Sequence, residues 1–218
     1  MIRLSRVTHH NKDAHRRTLV LDDVSCVFPK NRRVALLGRN GAGKSTVLRL
    51  LSRSVDPDHG RISINGSVSW PVGFSGGFSP DMTGAENVRF MARLYGRDPN
   101  TLADFVEEFS ELGEAFRSPW RTYSSGQKSR VSMGASMGIP FGTYLIDEAT
   151  SVGDSAFRAR ANAYLKDRLQ NAGAVIVSHS NETIRELCDY GMVIEGGKIT
   201  AYEDVKDAVE HHESNMKG

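Results

Sequence analysis

The chain has 218 residues, a net charge of +2, and an ordinary soluble composition of 39% hydrophobic and 25% charged residues. That length suits one domain with a proper core and room for a small inserted subdomain. The near-neutral balance provides no basic face for nucleic acid, and no apolar run approaches the roughly 18 residues of a membrane span, so both classes are excluded. The first nineteen positions are broken by Arg3, Arg6, Lys12, Arg16 and Arg17 and do not read as a signal peptide. Cys26 and Cys188 form neither a C-x-x-C pair nor a disulfide framework, which fits a reducing compartment and two inert buried thiols. A cytoplasmic protein is expected.

Short β-rich runs alternate with helical stretches, the pattern of an α/β sheet. Residues 2–7 and 19–28 read as strands, and 33–37 is a short apolar strand ending at Gly38. Residues 45–54 carry Val47, Leu48, Leu50 and Leu51 on one helical face. Strands 61–64 and 67–70 flank Asn65-Gly66, a dipeptide suited to a two-residue hairpin turn. A glycine- and phenylalanine-rich loop spans 72–80. Helices are then expected over 86–94, 102–112 and 125–137. Strands return at 143–146, 174–178 and 192–195, the last joined to 198–202 through Gly196-Gly197 as a second hairpin. Residues 203–213 read as a polar helix. The expected architecture is α/β: a largely parallel mixed sheet, an antiparallel β part at the N-terminus, and an inserted helical subdomain.

One motif carries chemistry by itself. Gly38-Arg39-Asn40-Gly41-Ala42-Gly43-Lys44-Ser45 matches G-x-x-x-x-G-K-[ST] between an expected strand and an expected helix, and Thr46 follows. Glycines let backbone N–H groups converge on a phosphate, and the helix start adds its positive end. Lys44 reaches the β- and γ-phosphates, and the Ser45 hydroxyl ligates Mg²⁺. The plainer alternative is a tight turn that happens to contain Lys-Ser. The bare pattern arises in about one chain of this length in a hundred, and the correct flanks make it rarer.

Three further elements join it. Thr143-Tyr144-Leu145-Ile146-Asp147-Glu148 is a buried-strand run ending in two acids, and the end of a parallel strand faces the ligand crevice. Asp147 suits the Mg²⁺ shell and Glu148 a general base for water. Alone, such a pair is usually a solvated helix start. A further apolar strand delivers His179 to the same sheet edge, which favours a γ-phosphate contact over a structural histidine. Ser124-Ser125-Gly126-Gln127 has capping-box spacing, and in isolation it is no more than a well-capped helix.

These elements, in this order, resemble the nucleotide-binding subunit of an ATP-binding cassette (ABC) transporter over nearly the whole chain. Residues 38–46 match the Walker A motif, 123–127 the signature, 143–148 Walker B, Ser151-Val152-Gly153-Asp154 the D-loop, and His179 the switch histidine. The segments Ser69-Trp70-Pro71-Val72-Gly73-Phe74, Thr83-Gly84-Ala85-Glu86-Asn87-Val88, Phe105-Val106-Glu107-Glu108-Phe109, Tyr123-Ser124-Ser125-Gly126 and Ala149-Thr150-Ser151-Val152-Gly153-Asp154 resemble the narrower family of capsular polysaccharide export ATPases of Gram-negative bacteria. The ending soon after Glu213 is similar to that short type.

The resemblance implies an ATPase using ATP and Mg²⁺, with Glu148 and His179 catalytic and Asp154 in the D-loop. It implies one ATPase domain over 1–218, with a core near 1–80 and 140–218 and a helical signature part near 81–139. It also implies a homodimer in which Ser124, Ser125, Gly126 and Gln127 of one copy meet ATP held by the other. A separate membrane permease is expected to contact the stretch between Gly73 and Asn87. The subunit then sits peripherally on the cytoplasmic side of the inner membrane and does not touch the glycan.

Three positions depart from the family's pattern. Ser125 stands where most signatures have glycine, as in the capsule group. No glutamine occurs in 72–81, where the family usually has one. The usual adenine-stacking aromatic is absent near Thr8-His9-His10-Asn11, where either His10 or His9 replaces it or the stretch is an exposed polar loop. Competing functions are an O-antigen, teichoic-acid or drug exporter ATPase, and a soluble non-transport ABC ATPase. The last wants tandem cassettes, a coiled-coil insertion or a basic linker, none of which the chain has.

Overall fold

The computed structural model describes residues 1–13, 16–74, 76–147, 154–178 and 180–217. They fall into two compact units. Unit 1 comprises Met1–Pro71, Phe141–Glu148 and Asn171–Gly218; unit 2 comprises Val72–Pro140 and Ala149–Gln170.

Unit 1 holds two sheets. The smaller is antiparallel, in the order β2-β1-β4, from β1 (Ile2–Asp13), β2 (Arg16–Phe28) and β4 (His59–Ile64). The larger has the order β5-β6-β7-β3-β8-β9. Its members are β3 (Arg33–Leu37), β5 (Val68–Pro71), β6 (Thr143–Asp147), β7 (Gly173–Val177), β8 (Tyr190–Glu195) and β9 (Lys198–Tyr202). All its pairings are parallel except β8 with β9.

The runs Val34–Leu37, Tyr144–Ile146 and Ala174–Val177 are buried on both faces, which explains why they are apolar without alternation. Helix α1 (Lys44–Leu51) buries Val47, Leu48, Leu50 and Leu51 in the same core as Leu36, Leu145, Val175 and Met192. Each such side chain contributes about 1.5–3 kcal/mol. The parallel register sets Ala35 beside Ile176 and Asp147 beside Val177. The strand ends leading to Gly38, Glu148 and Ser178 therefore share one sheet edge.

The two expected hairpins fare differently. Gly196 and Gly197 have φ of 52° and 79°, and β8 and β9 pair antiparallel across them. Asn65-Gly66 is not a hairpin turn: β4 pairs with β1, whereas β5 joins the other sheet parallel to β6. Asn65 is claimed by the chain start, its N–H donating to the Met1 carbonyl at 2.9 Å and its carbonyl accepting from the Met1 ammonium at 3.0 Å. The dipeptide is a crossover between sheets. Unit 1 ends in α6 (Asn181–Leu187) and α7 (Val205–Lys217).

Unit 2 is helical, with α2 (Gly84–Leu94), α3 (Pro99–Ser110), α4 (Ser125–Gly138) and α5 (Ser155–Gln170). Val106, Phe109, Phe116, Val131 and Phe157 are buried, and the rings of Phe109 and Phe157 meet edge to face at 5.3 Å. A Cβ on Gly134 of α4 would lie 2.9 Å from the Phe109 ring, so glycine there admits the close packing. Helices α5 and α6 occupy stretches where no element was expected. Among the described residues no helix is long and apolar enough to cross a membrane.

Candidate nucleotide site

After Leu37 the chain leaves β3 and turns through Gly38 to Gly43 into α1. Gly41 and Gly43 have φ of 80° and 100°, in the left-handed region. A Cβ on Gly43 would stand 2.3 Å from Val20 Cγ1, so both backbone angle and space exclude any other residue. Gly43 is also the N-cap of α1. No side chain caps this helix start, and its first turn holds no acid. The amides and the positive dipole end are thus left for an external anion.

Lys44 folds back along the loop, its Nζ donating to the Gly38 carbonyl at 2.7 Å and the Arg39 carbonyl at 3.1 Å. The ammonium is therefore held beside the loop. An open cavity of about 310 Å³ is lined by Asn11, Lys44, Ser45, Thr46 and Asp147, among others. Ser45 and Asp147 supply a hydroxyl and a carboxylate to one space. These are hard oxygen donors, and Mg²⁺ takes one or two carboxylates and completes its shell from substrate phosphates and water. The residues fit that ion.

The signature residues lie in unit 2 at the start of α4. Ser124 Oγ accepts from the Gln127 N–H at 3.2 Å, and Gln127 Oε1 accepts from the Ser124 N–H at 2.9 Å. Ser124 and Ser125 are exposed. A Cβ on Gly126 would meet only Ser124 Oγ, at 3.9 Å, so among the described residues nothing demands glycine there. Asp154 caps α5, accepting from the Phe157 N–H at 2.9 Å, and pairs with Arg130 at 2.7 Å. That backbone bond first, and then the Arg130 charge, hold its carboxyl below the ordinary aspartate range. Glu148, Ser151, Val152, Gly153 and His179 lie outside the described residues.

A family model for ABC transporters matches residues 21–151. The chain belongs to the ABC transporter family. It is 40% identical to the polysialic acid transport ATP-binding protein KpsT of Escherichia coli, over 97% of this chain and 96% of that one. It is 41% identical to the capsule polysaccharide export ATP-binding protein CtrD of Neisseria meningitidis serogroup B, over 89% and 90%. The fold is shared with the dimeric structure of a post-hydrolysis state of the ATP-binding cassette MJ0796 bound to ADP and Pi. There the TM-score is 0.74 and the identity 20%, over 93% of this chain and 98% of that one.

Within this ABC ATPase the two histidines marked for adenine are otherwise engaged. His9 is buried. His10 is held by Asp58, whose Oδ2 lies 2.9 Å from the ring Nδ1 and accepts the His10 N–H at 2.9 Å. Neither histidine lines the cavity; their neighbour Asn11 does. The pairing of β1 with β2 slips by one residue between His9 and His10, from Leu21 to Leu19, and such an irregularity re-aims the side chains beyond it. Asn11 belongs to no motif, and only its place beside the anomalous histidines marked it. Cys188 is buried and Cys26 half-buried, and burial pushes the thiols up to about 12 and about 11, which disfavours the thiolate in both.

Proposed function

We propose that this chain is the ATP-hydrolysing subunit of an exporter of capsular polysaccharide or a related lipid-linked glycan. The whole of residues 1–218 works as one ABC ATPase domain. Two copies act together beneath a separate permease, on the cytoplasmic face of the inner membrane. The observation that carries the cargo is the near-complete match, at about 40% identity, to ATP-binding proteins named for polysialic acid and capsule transport.

The site chemistry follows from the residues. The loop amides, Lys44 and the start of α1 bind the β- and γ-phosphates. Ser45 and Asp147 would hold Mg²⁺, which would offset phosphate charge. Glu148 takes a proton from the attacking water, and His179 contacts the γ-phosphate. The second copy brings Ser124, Ser125, Gly126 and Gln127 over that phosphate, with Asp154 beside them. The open space above Gly126 supports this approach. The bond from the Gln127 N–H uses a lone pair of the Ser124 hydroxyl and leaves its hydrogen to donate. ATP then joins the copies and hydrolysis releases them, a two-state cycle.

For the permease, unit 2 offers Phe74 within the expected contact segment, and Phe90 and Leu94 one helical turn apart on α2. All three are largely exposed, at 55%, 48% and 64%. Separated exposed apolar side chains are ordinary, but an i, i+4 pair on one face suits a docking surface.

Glu148→Gln tests the mechanism. Turnover is expected to fall about 100-fold or more, ATP binding to persist, and a dimer to accumulate with ATP. Undiminished hydrolysis removes Glu148 as the base; a monomer at saturating ATP removes the sandwich. Co-purification with a multi-span membrane protein tests the permease.

A further inference from the structure

The chain reaches the signature through irregular backbone. Between α3 and α4 it forms only two short 3-10 turns, Gly113–Arg117 and Trp120–Thr122, and then enters the Ser124 cap. The hydrogen-bond geometry of such turns is poor, so they are held by what they pack against. Here that is the stretch just before α2. The Trp120 N–H donates to the Met82 carbonyl at 2.8 Å, and the Arg121 N–H to the Pro80 carbonyl at 3.0 Å. Thr83 and Pro119 pair as an antiparallel bridge, and Arg121 meets Asp81 at 2.6 Å.

Tyr123, the last residue before the cap, completes the tie. Its ring is buried, stands 5.1 Å from that of Trp120, and sends its hydroxyl to Gly84 in the first turn of α2. The Gly84 N–H faces that hydroxyl and tempers the rise in pKa that burial causes. No group among the described residues meets it with full hydrogen-bond geometry, so it contributes shape more than bonding. A Cβ on Gly84 would stand 2.3 Å from the hydroxyl oxygen and 3.0 Å from the Phe116 carbonyl. The φ of Gly84 is not in the left-handed region, so space and not backbone angle demands glycine there.

We infer that Tyr123 is a positioning residue for hydrolysis: wedged against Gly84, it sets where the Ser124 cap stands, and Gly84 is glycine to admit it. Ordinary contact begins at about 3.4 Å, so a methyl on Gly84 would drive the hydroxyl back by about 1 Å. Ser124 is the next residue along the backbone and its hydroxyl is bonded to the Gln127 N–H, so the first turn of α4 shifts with it. A misplacement of about 1 Å at a reacting centre costs about 100-fold in rate. The loop at 38–46 belongs to the other unit and holds ATP with its own groups, so the loss falls on kcat and spares KM. The inference rests on the reading that Ser124–Gln127 covers ATP held by the second copy.

The test is steady-state ATP hydrolysis by the full chain. Gly84→Ala should lower kcat about ten- to hundredfold at unchanged KM for ATP. Tyr123→Phe removes the oxygen that the new methyl would strike, so Gly84→Ala/Tyr123→Phe should return kcat to within about fivefold of wild type. Tyr123→Leu keeps an apolar side chain without the reach to Gly84. It should lower kcat about tenfold by itself, and Gly84→Ala in that background should cost nothing more. Gly138, at the far end of α4, is the control: a Cβ there would lie 2.3 Å from Leu102 Cδ1, an equally short contact. Gly138→Ala should leave kcat as it is.

Full turnover in Gly84→Ala, a loss carried by KM, or a loss that Tyr123→Phe does not repair overturns the inference. So does an equal loss in Gly138→Ala, since any strain in unit 2 would then slow hydrolysis. If Gly84→Ala does not fold, Tyr123→Leu decides alone, and unchanged kcat there removes the wedge. Turnover that survives Ser124→Ala removes the cover itself, whereas a loss in Ser124→Ala with none in Gly84→Ala removes only the wedge.

Discussion

Two helix starts in this molecule carry the same electrostatics and use them in opposite ways. Each presents unpaired amides and about half a positive charge at its N-terminus. At α1 the cap is Gly43 in a left-handed conformation, with no side-chain partner and no acid in the first turn. At α4 the cap is Ser124, closed reciprocally by Gln127. A missing cap costs about 1 kcal/mol. The burial of Val47, Leu48, Leu50 and Leu51 offsets that cost, so α1 can stay open to an anion. At α4 the Gln127 N–H is taken by the cap, and the Ser124 hydroxyl keeps a hydrogen to offer outward. One start is built to be filled and the other to cover.

The largest effects should come from closing the open start. Lys44→Ala removes the ammonium poised over the loop and should weaken ATP binding about ten- to hundredfold, the range of a charge-assisted bond. Gly43→Ala forces a Cβ against Val20 at a φ of 100°. It should strain the loop by about 1–3 kcal/mol and weaken ATP binding at least as much as one lost contact. Titration calorimetry reads both variants. Unchanged affinity in Gly43→Ala would mean that the uncapped start is not the cradle.

A smaller effect separates a cap that only caps from one that also covers. Ser124→Ala should lose about 1 kcal/mol of stability, a melting shift of about 2–4 °C at this chain length, and also turnover. ATP affinity of the single copy should hold. The control is Asp98, the N-cap of α3, which accepts from the N–H groups of Asn100 and Thr101 at 3.1 and 2.7 Å. Asp98→Ala should lower the melting temperature comparably and leave ATPase activity alone. If the two variants fall equally in activity, the Ser124 hydroxyl has no role beyond its own helix.

The open start was legible in the amino-acid order because its chemistry is local: nine consecutive residues contain the glycines, the lysine and the hydroxyl. The hairpin at Gly196-Gly197 was legible for the same reason. Asn65-Gly66 misled because a good turn dipeptide says nothing about which sheet the next strand joins. Here the Met1 backbone and the buried edge of β6 decide it. Helix α5 went unmarked although Phe157, Ala161, Leu165 and Leu169 recur every fourth residue. One buried side chain per turn among arginines and polar residues makes a narrow stripe. Asn11 could not be found from spacing, since its partner Thr46 lies 35 positions away and a slip in strand register sets where it points.

Acid should sharpen the same comparison, with the smallest effect. The starts of α2, α3 and α5 lean on carboxylates. Glu86 accepts from the Thr83 N–H, Asp98 from the Thr101 N–H, and Asp154 from the Phe157 N–H. In each case that backbone bond is the main reason the carboxyl sits below its ordinary value. A depressed folded value stabilises the fold fully above the unfolded value, near pH 4, and loses that contribution as pH falls through the folded one. The start of α1 has no carboxylate to protonate. Between pH 6 and pH 3 the first turns of α2, α3 and α5 should therefore lose amide-exchange protection before the first hydrogen-bonded amide of α1, the Val47 N–H that donates to the Gly43 carbonyl. Asp98→Asn keeps an N-cap acceptor and removes its charge, so the first turn of α3 should become insensitive to acid while α2 and α5 remain sensitive. Equal loss of protection at all four starts would show that acid acts on the core and not on the caps.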